Sequence, residues 1–128
     1  MSAIDVFNRY GAALAAGDMA ALASTFDENV IWHQPGGNPL SGEHHGPGGV
    51  VALLGRFMEL SAGTFALEVV DVVERGDLVA ATVRFRATRA GRTALAQNGV
   101  DVFRVRGDAI AEVWLISEDQ PAEDEFWG

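Results

Sequence analysis

Hydrophobic positions in the first half of the chain repeat at helical spacing. The spacing predicts helices over residues 2–16, 19–26 and 47–61, each with one apolar face. A short strand over residues 30–34 lies between the second and third helices. Residues 35–49 are rich in glycine and proline and predict a loop, which is long for a connection without structure of its own. Because that loop carries two of the three histidines, it is a candidate functional segment.

The second half of the chain alternates between hydrophobic and polar residues, as β-strands do. The alternation predicts strands over residues 65–74, 78–88, 93–106 and 109–117, joined by tight turns. Helices followed by an antiparallel meander predict an α+β fold, with the helices on one face of a curved sheet. A long sheet that curls around helices leaves a cone with an open mouth. Because the sequence contains no repeat or linker, residues 1–128 are expected to form one domain.

The third of these strands places a carboxylate on an apolar face. Asp101, Phe103 and Val105 share one face of the strand. The opposite face carries Arg104 and Arg106 and is expected to be the wetter one. Because burial of an ionised carboxylate is costly, Asp101 is expected either to be paired or to stay protonated and donate a hydrogen bond. The other helices and strands are then expected to surround this residue.

The outer face of the sheet is also expected to carry apolar side chains. Val70, Val72, Val100 and Val102 have the parity of that face. An apolar outer sheet face commonly becomes a subunit interface, so we expect a homodimer through it. The position of Trp114 stays open, because the turn before it leaves the register uncertain by one residue and one residue changes the face.

Composition and charge exclude several classes of protein. All nine basic residues are arginine, and the formal net charge is −9, which argues against nucleic acid and anionic membranes as partners. There is no cysteine, so disulfides, thiol nucleophiles and thiolate metal sites are excluded. No segment resembles a signal peptide or approaches the roughly 20 apolar residues of a membrane span. We therefore expect a soluble, cytoplasmic protein.

Inward-facing aromatic residues predict an apolar cavity inside the cone. Adjacent histidines in a loop without a matching partner are weak evidence for a metal site, so we expect neither a metal nor a cofactor. His33 is expected to point outward, because it alternates with its neighbours along the strand. The residues expected to contact a small apolar molecule are Trp32, Gln34, Phe57, Phe85 and Phe103, with His44 at the mouth of the cone.

Three stretches of the chain together resemble known families. Residues 8–18 (NRYGAALAAGD) are similar to the first helix of the ketosteroid isomerases, and residues 100–105 (VDVFRV) to their oxyanion-hole strand. Residues 32–42 (WHQPGGNPLSG) resemble the matching loop of SnoaL-like polyketide cyclases. The likeness covers nearly the whole chain and implies the nuclear transport factor 2-like cone, a curved antiparallel sheet wrapped around three N-terminal helices. This fold hosts isomerases, cyclases, hydrolases, dehydratases and non-enzymes.

The resemblance to the isomerases implies roles for three positions. In those enzymes a tyrosine on the first helix and a protonated aspartic acid on the sheet donate hydrogen bonds to an enolate oxygen, and Tyr10 and Asp101 occupy the matching positions. The isomerases' general base is an aspartate followed by proline, where this chain has Gln34 and Pro35. Glutamine cannot take a proton at neutral pH, so the base is missing there. A histidine, a water held by Gln34, or no base at all are the alternatives.

The resemblance implies an enzyme of the SnoaL-like or ketosteroid-isomerase-like type that acts on an apolar carbonyl compound. Asp101 would be its catalytic acid or acid–base, and Tyr10 a supporting donor. Limonene epoxide hydrolases, another branch, use an aspartate–arginine–aspartate set, but Arg104 and Arg106 have the opposite parity to Asp101. The alternatives are a non-catalytic member that binds a small ligand or a protein, and a cone filled by its own side chains.

Overall fold

The computed structural model describes residues 1–128 as four helices and one six-stranded sheet. The sheet order is β2-β1-β6-β5-β4-β3, and every neighbouring pair is antiparallel except β1 and β6, which are parallel. The α+β cone is confirmed, with a mixed rather than a purely antiparallel sheet. The helices are α1 (Ala3–Ala16), α2 (Met19–Ser24), α3 (Gly46–Leu60) and α4 (Gln120–Trp127). The strands are β1 (Phe26–Gln34), β2 (Gly42–His45), β3 (Ala66–Arg75), β4 (Leu78–Ala87), β5 (Leu95–Arg106) and β6 (Ala109–Ser117).

Local capping fixes the two ends of α1. The Ser2 hydroxyl accepts a hydrogen bond from the Asp5 N–H at 3.4 Å, and the Asp5 carboxylate accepts one from the Ser2 N–H at 3.1 Å. Gly17 ends the helix in the left-handed conformation with φ of 65°. The second helix stops at Ser24, earlier than predicted, because the Thr25 carbonyl already accepts the Ile110 N–H and β1 begins at the next residue.

Two elements were missed by the sequence patterns. The predicted loop over residues 35–49 contains β2, which pairs antiparallel with β1 between Gly42 and His45. The C-terminal tail, residues 118–128, to which the patterns assigned no element, is acidic and forms α4, whose N-cap Asp119 accepts a hydrogen bond from the Ala122 N–H at 3.1 Å. The tail packs on its own chain and buries both of its terminal aromatic residues, Phe126 and Trp127. The cone therefore contains a C-terminal helix in addition to the three N-terminal helices.

A bulge in β3 corrects the predicted outer face. The pairing with β4 shifts between Val69 and Asp71, so that Val72 lies opposite Ala81, a buried residue of the inner face. Val72 therefore packs against the core, and its predicted outward position is wrong. Val70 remains outside, with 58% of its surface exposed.

A second bulge decides the position of Trp114. The pairing of β5 with β6 shifts next to Arg104, so that Trp114 lies opposite Val102. A regular ladder continued from the Val105–Ile110 pair would have placed Trp114 opposite Asp101 and inside the cone. The extra residue turns the indole to the outer face, where Arg104 lies over it at 5.7 Å from the ring centroid.

The helices cover the concave face of the sheet and form the core there. Phe7 and Tyr10 of α1 each have ring centroids 5.2 Å from that of Phe103 on β5. These contacts fix α1 across the middle of the sheet, next to Asp101. None of the four helices combines the length and apolar character needed to cross a bilayer, and α3, the longest, has 15 residues.

Candidate active site

Asp101 lies on the inner face of β5 in an apolar environment. The predicted alternation of β5 is confirmed, since Asp101, Phe103 and Val105 are all buried. The Asp101 side chain accepts no hydrogen bond from any protein group, and the residue lines a cavity. Burial, and secondly repulsion from Glu123, raise the pKa of Asp101 to about 7. A protonated carboxyl, which can donate a hydrogen bond, is therefore accessible to Asp101 near neutral pH.

Tyr10 reaches the same cavity from α1. Its ring packs between Phe26 and Phe103, at centroid distances of 5.9 and 5.2 Å. Burial raises the pKa of Tyr10, and the charge of Asp101 raises it further, so the phenol stays protonated. The two side chains form no direct hydrogen bond with each other, and the Tyr10 hydroxyl has no protein partner. Both donors are consequently available to a ligand.

Trp32 and Gln34 face the cavity from β1, as their parity predicts. Both residues are buried, and the Trp32 indole N–H donates to the Gln34 side-chain carbonyl at 3.0 Å. This bond fixes the orientation of the amide and satisfies its acceptor. The Gln34 amide nitrogen makes no hydrogen bond within the protein and can donate to a ligand.

The cavity is narrow and mostly apolar. Its volume is about 100 Å³, and 11 of its 16 lining residues are hydrophobic. An adjacent cavity of about 350 Å³ lies on the α1 side. Asp101 and Tyr10 line both spaces and so stand where the two adjoin. The residues common to the two cavities are Tyr10, Leu14, Met58, Phe65, Leu67 and Asp101.

The predicted aromatic contacts divide between the two cavities. Phe57 and Phe85 line the narrow cavity, whereas Phe103 lines only the adjacent one. Gly99 allows the Phe85 ring to approach the sheet, because a Cβ at that position would lie 3.1 Å from the ring and 2.9 Å from the Ile116 carbonyl oxygen. The pattern of inward-facing aromatic residues thus indicated the cavity wall, but it did not distinguish the narrow cavity from the adjacent one.

The structure does not bring the histidines to the cavity. His44, predicted at the mouth, instead bonds the Leu40 carbonyl oxygen through Nε2 at 2.8 Å, because β2 pairing holds it beside that loop. His33 points outward, as predicted, and its Nε2 lies 2.6 Å from Glu112. Its ring stacks on Trp114 at 5.7 Å. No group of three or more histidine and acidic side chains is placed to hold a metal ion.

A buried glutamate from α4 also lines the narrow cavity. Glu123 is 3% exposed, and the Ser117 hydroxyl donates to its Oε2 atom. Burial raises the pKa of Glu123; the Ser117 hydrogen bond opposes this effect and the Asp124 charge adds to it. Sequence patterns missed this site residue because the tail was not assigned as a helix. The signal was the cap Asp119 followed by Glu123 and two aromatics at helical spacing.

Asp124 connects α4 to the loop at the rim of the cavity. Its carboxylate accepts hydrogen bonds from the Gln120 side chain at 2.9 Å, the Asn38 side chain at 2.8 Å and the Gly37 N–H at 3.1 Å. Burial alone would raise the pKa of Asp124, but these three donors together lower it below its ordinary value. The loop over residues 35–41 and α4 are therefore held as one rim.

Comparison with known proteins places the chain in a family. The profile of the SnoaL-like domain matches residues 7–113, most of the chain. The chain belongs to the SnoaL-like domain family. An uncharacterized protein of Mycobacterium tuberculosis is 34% identical to this SnoaL-like chain over 125 residues, which cover 97% of this chain and 95% of that protein.

Solved structures share the fold of this chain. A Xanthomonas campestris protein of unknown function with a cystatin-like fold is 44% identical, with a TM-score of 0.92 over 100% of this SnoaL-like chain and 99% of its own. Bal32a, from a soil-derived mobile gene cassette, is 31% identical, with a TM-score of 0.92 over 98% and 96% of the two chains. IdmH of Streptomyces antibioticus, a candidate polyketide cyclase, shares the fold at 23% identity, with a TM-score of 0.75 over 92% and 93%.

Proposed function

We propose that this SnoaL-like protein is an enzyme that binds a small apolar carbonyl compound and catalyses enolate or proton-transfer chemistry of the isomerase or cyclase type. The observation that carries the proposal is the Asp101 carboxyl. It is buried, has no partner within the protein, and faces an apolar cavity with its pKa raised to about 7. A stable fold gains nothing from such a group, whereas a site for a developing oxyanion requires a fixed donor of this kind.

The proposed roles follow from the donors available in the cavity. Asp101 donates a hydrogen bond or a proton to the carbonyl oxygen, Tyr10 supports it, and the Gln34 amide nitrogen orients the substrate. Phe57 and Phe85 contact its apolar body. Loss of one oxyanion donor typically costs about 10²–10³ in rate. Polyketide-like cyclic carbonyls are the substrate class favoured here, since IdmH shares this fold. A ring system of that size would occupy the adjacent cavity of about 350 Å³ as well as the narrow one.

Binding of 2-naphthol, an aromatic mimic of a cyclic enol, tests this proposal. Saturable binding followed by tryptophan fluorescence is expected for the wild type. Asp101→Leu is expected to weaken it by about 10- to 100-fold, because a hydrogen bond to a charged or polarised oxygen contributes roughly 1.5–3 kcal/mol. The control is Glu68→Gln, an exposed carboxylate on β3. Equal affinity in wild type and Asp101→Leu would contradict the role proposed for Asp101.

A non-catalytic binding protein is the second candidate. The observation that favours it is the bond between the Trp32 indole and Gln34, which leaves no proton acceptor at the position of the isomerase base. This candidate predicts 2-naphthol binding without turnover of any carbonyl compound.

We also propose that the protein forms a homodimer through the outer face of the sheet. Val70, Val73 and Ile116 expose 58%, 59% and 63% of their surfaces there. Val70 and Ile116 line a shallow depression together with Val100. Burial of such a patch against a second copy would remove apolar surface from water.

A further inference from the structure

We propose that Glu123 is the general base that acts together with Asp101 in the narrow cavity, an inference that rests on the proposed function. Gln34 occupies the position where the isomerases have their base, and its acceptor oxygen is already bonded to Trp32. Glu123 lines the same cavity and is supplied by α4. The chain therefore contains a second carboxyl group where a base is needed, delivered by a different element.

The sheet register sets the relation between the two carboxyl groups. Asp101 lies opposite Leu115, and Gly99 lies opposite Ser117, so Ser117 is one step further along the inner face. The Ser117 hydroxyl donates to Glu123 Oε2 and thereby holds the glutamate against this end of the sheet. The other oxygen, Oε1, has no protein partner. It is the atom available to a substrate.

The environments of the two carboxyl groups divide the roles between them. Asp101 receives no hydrogen bond, whereas Glu123 receives one that favours its ionised form. Two neighbouring buried carboxyls resist ionising together and behave as a coupled pair. A state with one shared proton is therefore favoured, with that proton mainly on Asp101 and Glu123 as the carboxylate, because only Glu123 accepts a hydrogen bond from the protein. Repulsion between them contributes to the raised pKa of Asp101.

The proton transfer that this arrangement supports is balanced without another reactant. Glu123 Oε1 takes a proton from the carbon next to the substrate carbonyl, and the electron pair of the broken C–H bond forms the enolate double bond. The carbonyl oxygen takes up the negative charge under hydrogen bonds from Asp101 and Tyr10. Glu123 then returns its proton to the same carbon or to a conjugated one, which regenerates the carboxylate.

Exchange of the α-hydrogens of 2-tetralone in D₂O, followed by NMR, tests the proposal. The wild type is expected to accelerate exchange above the buffer rate. Glu123→Gln is expected to lower kcat for exchange by at least about 100-fold, the usual contribution of a positioned base. Its affinity for 2-naphthol should stay within about threefold of wild type, because the oxyanion donors are untouched. Glu125→Gln, with the same charge change at an exposed position of α4, should exchange at the wild-type rate.

Two results would overturn the role of Glu123 in a wild type that accelerates exchange. These are undiminished exchange in Glu123→Gln and equal loss in Glu125→Gln. If Glu123→Gln does not fold, Glu123→Asp replaces it as the test, because aspartate keeps the charge but has a side chain one methylene shorter. We expect Glu123→Asp to lower kcat for exchange by about tenfold. A kcat equal to that of the wild type would contradict the proposal. Failure of the proposed function would appear separately, either as 2-naphthol binding that is indifferent to Asp101→Leu or as a wild type that binds 2-naphthol without accelerating exchange, which is the outcome that the non-catalytic candidate predicts.

Discussion

At the scale of single residues, Asp101 is a position where stability and chemistry oppose each other. Burial of its carboxyl in the core is unfavourable once the group is ionised, and no protein donor compensates for the lost hydration. Its neighbours Phe103 and Leu115 offer only apolar contact. A buried carboxyl without a hydrogen-bond partner is expected at a functional site, where its unfavourable contribution to the free energy of folding is offset by the rest of the fold.

The raised pKa of Asp101 predicts a specific dependence of stability on pH. The folded state holds a proton that the unfolded chain has released, so the free energy of unfolding falls as pH rises from about 4 through about 7. The fall approaches about 1.4 kcal/mol per pH unit inside this window. Asp101→Asn does not titrate there and should gain stability relative to wild type as pH rises.

Urea unfolding of both proteins at pH 5, 6, 7 and 8 measures this difference. Glu123 has its pKa raised too and adds a dependence of the same sign, but it is present in both proteins, so the difference between them reports mainly on Asp101. If the free energies of unfolding of the two proteins ran parallel with pH, the Asp101 carboxyl would be ionised in the folded state or its charge would be stabilised by a hydrogen-bond donor.

At the scale of elements, α4 completes the cavity and is held by distant groups. Arg89, in the β4–β5 connection, donates to the Phe126 carbonyl at 2.6 Å, and Arg92 donates to the Glu125 carbonyl at 2.6 Å. Cations at a helix C-terminus satisfy free carbonyls and complement the helix dipole. The position of Glu123 therefore depends on contacts more than 30 residues away in sequence.

Arg89→Met is expected to loosen α4 without replacing any residue that lines the cavity. Loss of a charge-assisted hydrogen bond of roughly 1.5–3 kcal/mol would lower amide protection in residues 118–128 by about 10- to 100-fold. Hydrogen exchange followed by mass spectrometry measures it. Arg86→Met, an exposed arginine on β4 without a side-chain bond, should leave protection unchanged. Unaltered protection in Arg89→Met would mean that aromatic packing alone holds the helix.

At the scale of the whole molecule, the outer face of the sheet combines apolar and charged groups. Val73 and Ile116 lie on the same face as the stacked pair of His33 and Trp114. The formal net charge of −9 opposes self-association at long range, and salt screens it. A dimer through this face should consequently tighten as ionic strength rises.

Sedimentation equilibrium tests the proposed dimer. The wild type is expected at about 27 kDa, twice the chain mass of 13.6 kDa. Ile116→Lys places a charge in the patch and should yield the monomer mass. Met19→Lys, at an exposed hydrophobic residue of α2, should remain dimeric. A wild type at the monomer mass, or a dimer unaffected by Ile116→Lys, would reject this interface.

The sequence alone determined what depends on local geometry. Helical spacing turned Tyr10 inward, and strand alternation turned Trp32, Gln34 and Asp101 inward, because side-chain direction within an element follows from its backbone. The ends of α1 were likewise predictable from its capping residues. These local rules were enough to turn the candidate donors toward the interior of the cone.

Tertiary structure decided whatever depends on a distant partner. The bulges that send Val72 inward and Trp114 outward arise where strands pair, and one inserted residue reverses every side chain beyond it. Pairing of β2 drew His44 away from the cavity, and docking of a short helix brought Glu123 into it. Such a helix of eight residues is marginal on its own, so only its burial against the sheet fixes where its glutamate lies.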